Sequence, residues 1–449
     1  MNVLNEMKVL KAEDDQARIV VQTTGAEFLI EKNQGTIACA GLVNGRKKLA
    51  VIRFGCSFDG LRIVESDEDS CVMHLGVHEG RTGYGGTHYF LRIQISRDSL
   101  IRINSQKEVG LTVEGCFLPE YTAEKNGNAL LIGNDSGIGL YPYKGLHDVE
   151  LVGLSSGNWK AVYTFDRFYT MLISVFPPRK FNEEQSIAER IVHHGTLSSV
   201  EHVNPPPDPY PSDAMLEDFS KYATVLVLHE TIWQGCITKK GLSLNNAEDI
   251  WRDAAFCTGN FIPANEVEFR RVIKKAHSLG MKVIPYTSPF YSTARGKDFL
   301  GKAGEMLAKY DLDGIYFDDI TMDDILYAYD IIRETRAMLK DKIIYYHCTM
   351  GALHSRYIYC PFVDTYADYI LRAESGGGFD ERYIRYVVSG YNISNSIGYI
   401  CHHGYKPEFI EQIIDKALAA KVRFYLGSPA TAREEVLRRH YFPKLMKKQ

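Results

Sequence analysis

The first two hundred residues alternate between apolar and polar positions in short runs. Nine runs lie between residues 17 and 176 without helical periods between them: ARIVVQT, EFLIEK, LAVIRFG, YFLRIQIS, LIRINS, VGLTVEG, ALLIGN, AVYTFD and FYTMLISVF. Alternate residues of a strand face opposite sides of a sheet, so each run predicts a strand. Many strands at short intervals indicate an antiparallel β-sandwich, which we expect over residues 1–200. A helix is predicted at Asn182–Val192, where this region closes.

Residues 201–213 form the clearest boundary in the chain. Their sequence, EHVNPPPDPYPSD, places five prolines within seven positions. Proline-rich segments are stiff and extended, so this stretch reads as a linker between two folded bodies. We therefore expect a β-sandwich domain over 1–200, a linker over 201–213 and a second domain over 214–449.

The pattern of the second domain alternates short apolar runs with helical periods. Seven runs predict strands, at residues 224–230, 281–287, 315–317, 342–349, 362–374, 396–404 and 422–428, and helical spacing recurs at 264–280, 297–310, 323–340, 408–420 and 432–442. Such alternation predicts parallel strands with helical crossovers. We expect a C-terminal (β/α)₈ TIM barrel whose eighth strand lies in Gln234–Ile262. An open doubly wound sheet is the alternative.

Composition narrows the class of protein. Net charge is −4, with 52 basic and 56 acidic residues, so neither nucleic acid nor an anionic membrane is an expected partner. The nine cysteines contain no CxxC pair, which favours a reducing compartment. The N-terminal acids and the lack of a long apolar run predict a soluble, cytoplasmic protein. Assembly into a homo-oligomer is left open.

Most predicted strands of the second domain end in polar or ionisable residues. These are His229-Glu230, Tyr286-Thr287, Asp318-Asp319, His347, Glu374, His402-His403 and Ser428. A buried charge is costly unless it is paired, so a purely structural strand end does not need one. Polar ends that converge on one face are typical of an active site at the carboxyl edge of a parallel sheet.

Two of these carboxylates suit the cleavage of a glycosidic bond. Asp318 and Glu374, the latter just before three glycines, are the candidate pair: one carboxyl must be protonated to give the leaving oxygen a proton, and the other must be ionised to attack the anomeric carbon or stabilise its positive charge. Asp319 either orients Asp318 or caps the next helix. A separation of about 5–5.5 Å between the two carboxylates would mean retention of configuration, and about 6.5–9.5 Å inversion. We expect a retaining enzyme.

The remaining polar residues at the strand ends are predicted to bind the substrate. They are His229, Glu230, Tyr286, His347, Arg372 and His402, and two aromatic residues, Trp233 and Tyr291, are predicted platforms for a sugar ring. No metal or cofactor is expected, because no HExxH or phosphate-loop motif is present. A metal site made by His229, His347 and Asp318 remains an alternative.

The segment GIYFD (314–318) resembles the strand that carries the nucleophilic aspartate in clan D glycosidases, the α-galactosidases and family 31 α-glucosidases. Those enzymes place a sandwich before a barrel and take their acid from the sixth strand. The resemblance implies Asp318 as nucleophile and Glu374 as acid/base. The tryptophan usual before the nucleophile is replaced here by Tyr316-Phe317, and the acid of the clan is more often Asp.

Four longer segments resemble glycoside-hydrolase-like barrels near the family 123 β-N-acetylgalactosaminidases: LVLHETIW (226–233), GMKVIPYTSPFY (280–291), DLDGIYFDD (311–319) and ADYILRAE (367–374). That set has a His-Glu strand end followed by Trp, and a later Ala-Asp segment that ends in Glu. Asp368 and Glu374 fit this spacing. Family 123 itself uses adjacent Asp-Glu, whereas this chain has Asp318-Asp319, which departs from its substrate-assisted mechanism.

The sequence as a whole predicts a glycoside hydrolase that acts on an oligosaccharide or small glycoside. Two alternatives belong to other classes: a barrel that binds carbohydrate without catalysis, and a metal-dependent sugar lyase or isomerase. Loss of turnover with retained binding after substitution of the carboxylates separates the first alternative. Metal analysis separates the second.

Overall fold

A computed structural model describes residues 3–79, 87–116, 122–125, 129–132, 136–143, 149–154, 160–180, 189–195, 209–235, 258–318, 320, 324–348, 361–372, 396–400, 406–419, 423–427 and 435–447. The chain divides into two compact units. The first is Met1–Phe181 with Tyr357–Thr365, and the second is Asn182–Arg356 with Tyr366–Gln449. No helix in the described ranges is both long and apolar enough to cross a membrane.

In the described part of the first unit, fourteen strands join in one antiparallel sheet. They are β1 Val9–Asp14, β2 Arg18–Thr23, β3 Ala26–Glu31, β4 Thr36–Gly41, β5 Lys47–Phe54, β6 Arg62–Ser66, β7 Ser70–Glu79, β8 Thr87–Ser96, β9 Leu100–Cys116, β10 Thr122–Lys125, β11 Ala129–Ile132, β12 Gly137–Tyr143, β13 Val149–Leu154 and β14 Lys160–Phe176. Side chains alternate along them, as in β3, where Ala26, Phe28 and Ile30 are buried. These positions contribute to one apolar core.

The predicted sandwich is wrong in its architecture, although its strands are antiparallel. β9 pairs with β14 on one side, and with β5 and β8 on the other, so the strands belong to one continuous sheet. This sheet is nearly closed into a barrel, with β1 approaching β6 and β7. The error has a simple cause: inward and outward residues alternate in the same way in a barrel and in a sandwich.

Among its described residues, the second unit contains a parallel sheet of eight strands in sequence order. They are β15 Ile191–His194, β16 Val225–Leu228, β17 Lys282–Thr287, β18 Gly314–Phe317, β19 Ile343–Cys348, β20 Tyr369–Arg372, β21 Ser396–Ile400 and β22 Arg423–Gly427. The described α-helices are α1 Asp213–Phe219, α2 Glu266–Ser278, α3 Gly296–Tyr310, α4 Ile325–Leu339, α5 Pro361–Asp364, α6 Pro407–Ala419 and α7 Phe442–Met446, of which α5 belongs to the first unit. Short turns of other types lie at Val3–Glu6, Glu230–Ile232 and Leu437–Tyr441.

The predicted (β/α)₈ TIM barrel is also wrong. The described strands form a half-barrel sheet with few helices, and no pairing between β15 and β22 is found in the part of the chain described. Alternating strands and helices specify parallel neighbours, whereas closure depends on strand tilt and stagger. The sequential order also lacks the reversal of a doubly wound sheet.

The first strand of this sheet comes from a segment that the sequence did not assign to it. Ile191–His194 pairs with β16 in parallel, with His193 opposite Val227. The helix predicted at Asn182–Val192 is therefore wrong at its end, where Ile191 and Val192 belong to the strand. The proposed hidden strand in Gln234–Ile262 falls largely outside the described residues. The domain boundary at 201–213 remains a prediction.

The local structure around β18 fixes where the strand ends. Helix α3 ends at Tyr310, and the next residue, Asp311, adopts a left-handed conformation (φ 54°). Gly314 then starts the strand, and a Cβ at this position would lie 2.2 Å from the carbonyl oxygen of Ile343, so only glycine fits without a shift. All four strand residues are buried. Asp318 follows immediately, at the carboxyl edge of the sheet.

Candidate functional site

Ionisable side chains lie at the carboxyl ends of five adjacent strands. His193 lies near the end of β15, His229 and Glu230 follow β16, Tyr286 is in β17, Asp318 follows β18 and His347 is in β19. Parallel strands present their carboxyl ends at one edge, which brings these groups together. Asp318 extends the pairing, because its main-chain N–H donates to the carbonyl of Thr287.

The carboxylate of Asp318 accepts hydrogen bonds on both oxygens. His347 Nδ1 lies 2.9 Å from Oδ1, and the hydroxyl of Tyr286 donates to Oδ2 at 2.7 Å. The side chain is 17% exposed, so it is partly open to solvent. Its two donors come from the strands on either side, which fixes the orientation of the carboxylate.

These contacts determine the ionisation states of Asp318 and Tyr286. Burial raises the pKa of Asp318, but the hydrogen bond and positive charge of His347, with the hydrogen bond from Tyr286, outweigh it and leave that pKa below its ordinary value. Burial and the negative charge of Asp318 hold the pKa of Tyr286 well above its usual range. Asp318 is therefore a carboxylate at neutral pH, and Tyr286 a phenol that donates.

A second hydrogen-bonded group lies beside this pair. His229 Nδ1 is 2.7 Å from Glu230 Oε2, and His229 Nε2 is 2.7 Å from His193 Nδ1. All three side chains are buried. Both ring nitrogens of His229 thus contact protein groups. Its role in substrate binding stays a prediction.

His193 is the member of this group that sequence reasoning missed. It is 3% exposed, and its ring meets the edges of two tyrosine rings, Tyr316 and Tyr345, each at 5.6 Å between centroids. Burial, with the nearby His229 and His347, holds the pKa of His193 well below its usual range, so its ring is neutral. The run IVHH was the available signal, but it is too short to distinguish a strand from a helix end.

The two predicted sugar platforms lie in different environments. Trp233 is fully buried, donates from Nε1 to the carbonyl of Tyr286 at 2.7 Å, and packs against Phe261 and Phe269. A ring buried in this way offers no open face to a pyranose in this conformation. Tyr291 is 36% exposed and follows the end of β17, so its ring remains open to a ligand.

The side-chain positions of four predicted site residues lie outside what the structure describes. Glu374, Asp319 and His402 lie outside the described residues. Arg372 is the last residue of β20, but the description of its position stops at the main chain. The distance between Asp318 and Glu374, on which the stereochemical prediction depends, therefore remains open.

Asp368, which matched the spacing of the second resemblance, lies at the amino end of β20. Its Oδ2 accepts hydrogen bonds from Arg336 at 2.5 Å and from the main chain of Ile344 at 2.8 Å. Arg336 is almost fully buried and also donates to the carbonyl of Tyr366. This end of the sheet is opposite to Asp318, so the contacts of Asp368 indicate a structural ion pair.

Among the residues that the structure describes, no group of three or more His, Cys, Asp and Glu side chains is arranged to hold a metal ion. Asp318 and His347 hydrogen-bond to each other, and His229 bonds to Glu230 and His193. The side chains proposed for the alternative metal site are thus engaged with protein partners.

No protein-family model matches the chain, and no curated protein matches its sequence. Solved structures similar to the chain include the cycloalternan-forming enzyme from Listeria monocytogenes (9% identity, TM-score 0.44), with 98% of this chain and 54% of that chain covered. The GH31 dextranase of Flavobacterium johnsoniae has 10% identity and a TM-score of 0.42, with coverage of 99% and 68%. A GH18 chitinase from Pseudoalteromonas aurantia has 12% identity and a TM-score of 0.35, with coverage of 58% and 100%. The chain spans about half the length of the Listeria proteins.

Proposed function

We propose that this protein is a glycoside hydrolase in which Asp318 attacks, or stabilises the positive charge on, the anomeric carbon of a sugar. One observation carries the proposal: a carboxylate at the carboxyl edge of a parallel sheet is kept ionised by two donors and stays partly exposed. An oxocarbenium-like transition state needs an ionised carboxylate on one face of the ring.

The two donors suit this role because each occupies only one lone pair of its oxygen. A carboxylate oxygen accepts more than one contact, so Asp318 retains acceptor capacity for the anomeric carbon. His347 and Tyr286 hold the carboxylate at a fixed angle, which avoids reorganisation when charge develops on the sugar. The same donors make Asp318 a poor proton donor, so a second group must protonate the leaving oxygen.

Glu374 is our proposed general acid/base, on the sequence resemblance alone. In a retaining reaction it would give a proton to the departing oxygen while Asp318 bonds to the anomeric carbon. It would then take a proton from the water that releases the sugar. The substrate would be an oligosaccharide or small glycoside, with Tyr291 as a stacking platform for a sugar ring.

The test begins with a panel of nitrophenyl glycosides, with the anomer of the product followed by NMR. Asp318→Asn should lower kcat by about 10⁴-fold or more on any glycoside that the wild type cleaves, with binding retained by calorimetry. Asp311→Asn is a matched control, because Asp311 is exposed, lies three residues before β18 begins, and asparagine also tolerates its left-handed backbone. An active Asp318→Asn protein would refute the proposal.

A variant with a smaller side chain at position 318 tests whether Asp318 attacks the anomeric carbon or only stabilises its charge. Asp318→Ala leaves space for an added azide ion, which can displace the nitrophenolate and form a glycosyl azide. If Asp318 is the nucleophile, azide should restore release of nitrophenolate and the azide should enter from the face that Asp318 occupied. If wild-type protein binds glycosides without cleaving any, the non-catalytic alternative replaces the hydrolase.

A further inference from the structure

Three buried side chains beside the proposed site form one hydrogen-bonded chain. Glu230 contacts His229 Nδ1, and His229 Nε2 contacts His193 Nδ1, each at 2.7 Å. The two histidines are 36 residues apart and come from adjacent strands, whereas Glu230 begins the short turn Glu230–Ile232. This chain takes no direct part in the proposed reaction of Asp318, so its role needs a separate account.

The number of protons in this chain is limited by its partners. When Glu230 is a carboxylate it can only accept, so the 2.7 Å contact then requires a hydrogen on His229 Nδ1. A single hydrogen lies between His229 Nε2 and His193 Nδ1. When both rings are neutral, His229 Nε2 must be the acceptor and His193 Nδ1 the donor. The hydrogen bond at one ring nitrogen thereby determines whether the other nitrogen of the same ring carries a hydrogen.

The ring of His229 packs against one of the two residues that hold Asp318. It packs against Tyr286, with centroids 5.4 Å apart, and against Tyr316 at 5.2 Å. Tyr286 in turn donates to Asp318. The orientation of the His229 ring therefore affects where the phenol of Tyr286 can lie.

We infer that Glu230 and His193 are positioning residues that hold His229 as its Nδ1–H tautomer, in one orientation, behind Tyr286. Neither nitrogen of His229 then contacts substrate, and the ring supports the site through its face. His193 acts through His229 and Tyr286. The inference deepens the proposed function, and only its kinetic test rests on that function.

Side-chain ¹⁵N NMR tests the tautomers without any substrate. In the full-length protein at neutral pH, both His193 and His229 should show a protonated Nδ1 and a bare Nε2. Assignment follows from the signals lost in His193→Asn and in His229→Asn. A protonated Nε2 on neutral His229, or a cationic His229 ring, would overturn the inference.

Two substitutions of His193 separate the hydrogen bond from the volume of the ring. Asparagine places an amide N–H near the position of Nδ1, so His193→Asn should keep His229 in one tautomer, whereas His193→Leu should give a mixture of tautomers. The control is His194→Asn, because His194 is the next residue of β15 and its ring contacts Phe219 instead. The inference fails if His193→Leu leaves the His229 signals as they are in wild type.

Kinetics on a cleaved nitrophenyl glycoside test the effect on the site. His193→Leu should lower kcat by about tenfold with KM within about twofold, and His193→Asn should recover most of the loss. If the wild-type protein shows the expected tautomers but His193→Leu leaves kcat unchanged, the positioning role is refuted. If Asp318→Asn is active but the tautomers are as expected, the proposed function fails and the assignment of the hydrogen-bonded chain stands.

Discussion

Replacing Tyr286 by phenylalanine removes one oxygen from the surroundings of Asp318 and leaves the ring in place. The ring is almost fully buried against His229 and Tyr316, and phenylalanine keeps that packing. The lost bond is a 2.7 Å contact to a charged acceptor. Such bonds contribute about 1.5–3 kcal/mol, which corresponds to a loss of about ten- to 150-fold in kcat/KM.

The direction of the pH effect follows from the forces on Asp318. Burial raises its pKa, and the hydrogen bonds and the charge of His347 lower it. Without the hydroxyl of Tyr286, one of the hydrogen bonds that lower this pKa is lost, so the pKa of Asp318 rises. Because the reaction needs the ionised form, the acidic limb of kcat/KM against pH should move to higher pH.

The free energy of unfolding should also depend on pH through the ionisation of Asp318. The folded-state pKa of Asp318 lies below its unfolded value of about 3.9, so this group stabilises the fold above that pH, and the stabilisation is lost as pH falls through the folded pKa. Tyr286→Phe should lower the free energy of unfolding at neutral pH. The gap to wild type should close as the solution is acidified below both folded pKa values.

The assays are pH–rate profiles on a cleaved glycoside and a ¹³C NMR titration of the Asp318 carboxyl, which needs no substrate. Tyr310→Phe is the control, because Tyr310 is also buried but lies on α3 with its hydroxyl next to Lys309. An unchanged acidic limb and unchanged titration in Tyr286→Phe would show that the phenol does not hold Asp318 ionised, and the reasoning would be refuted.

Four further substitutions, at three positions, test the framework by chemical denaturation. Asp368→Ala leaves Arg336 buried without its carboxylate and should lower the free energy of unfolding by about 3–5 kcal/mol. Asp368→Asn keeps an acceptor and should lower it less, and wild-type stability in Asp368→Ala would contradict the ion pair. Gly314→Ala should destabilise the second unit, because the added methyl would meet the carbonyl of Ile343, and soluble protein with wild-type stability would count against that fit. Trp233→Phe should cost about 1–3 kcal/mol for the main-chain acceptor it leaves buried, and a neutral result would show that this acceptor finds another donor.

Local patterns predicted most described elements of the second unit. Strands at 281–287 and 342–349 correspond to Lys282–Thr287 and Ile343–Cys348, and the helix at 297–310 to Gly296–Tyr310. These predictions are confirmed because each depends on residues that are neighbours in the sequence. The polar strand ends at His229, Asp318 and His347 were visible for the same reason, since a strand determines where its own end lies.

The sequence alone therefore determined strand direction, strand spacing and the placement of Asp318 at the end of a buried strand. It did not determine that the described strands β1 to β14 form one nearly closed sheet, that the described parallel strands lack a closing pair, or that His193 meets His229 and Tyr316. Hydrophobic periodicity reports which face of a segment is buried, and that signal is local. Closure and the meeting of side chains from separate strands depend on stagger and curvature, which only the tertiary structure decides.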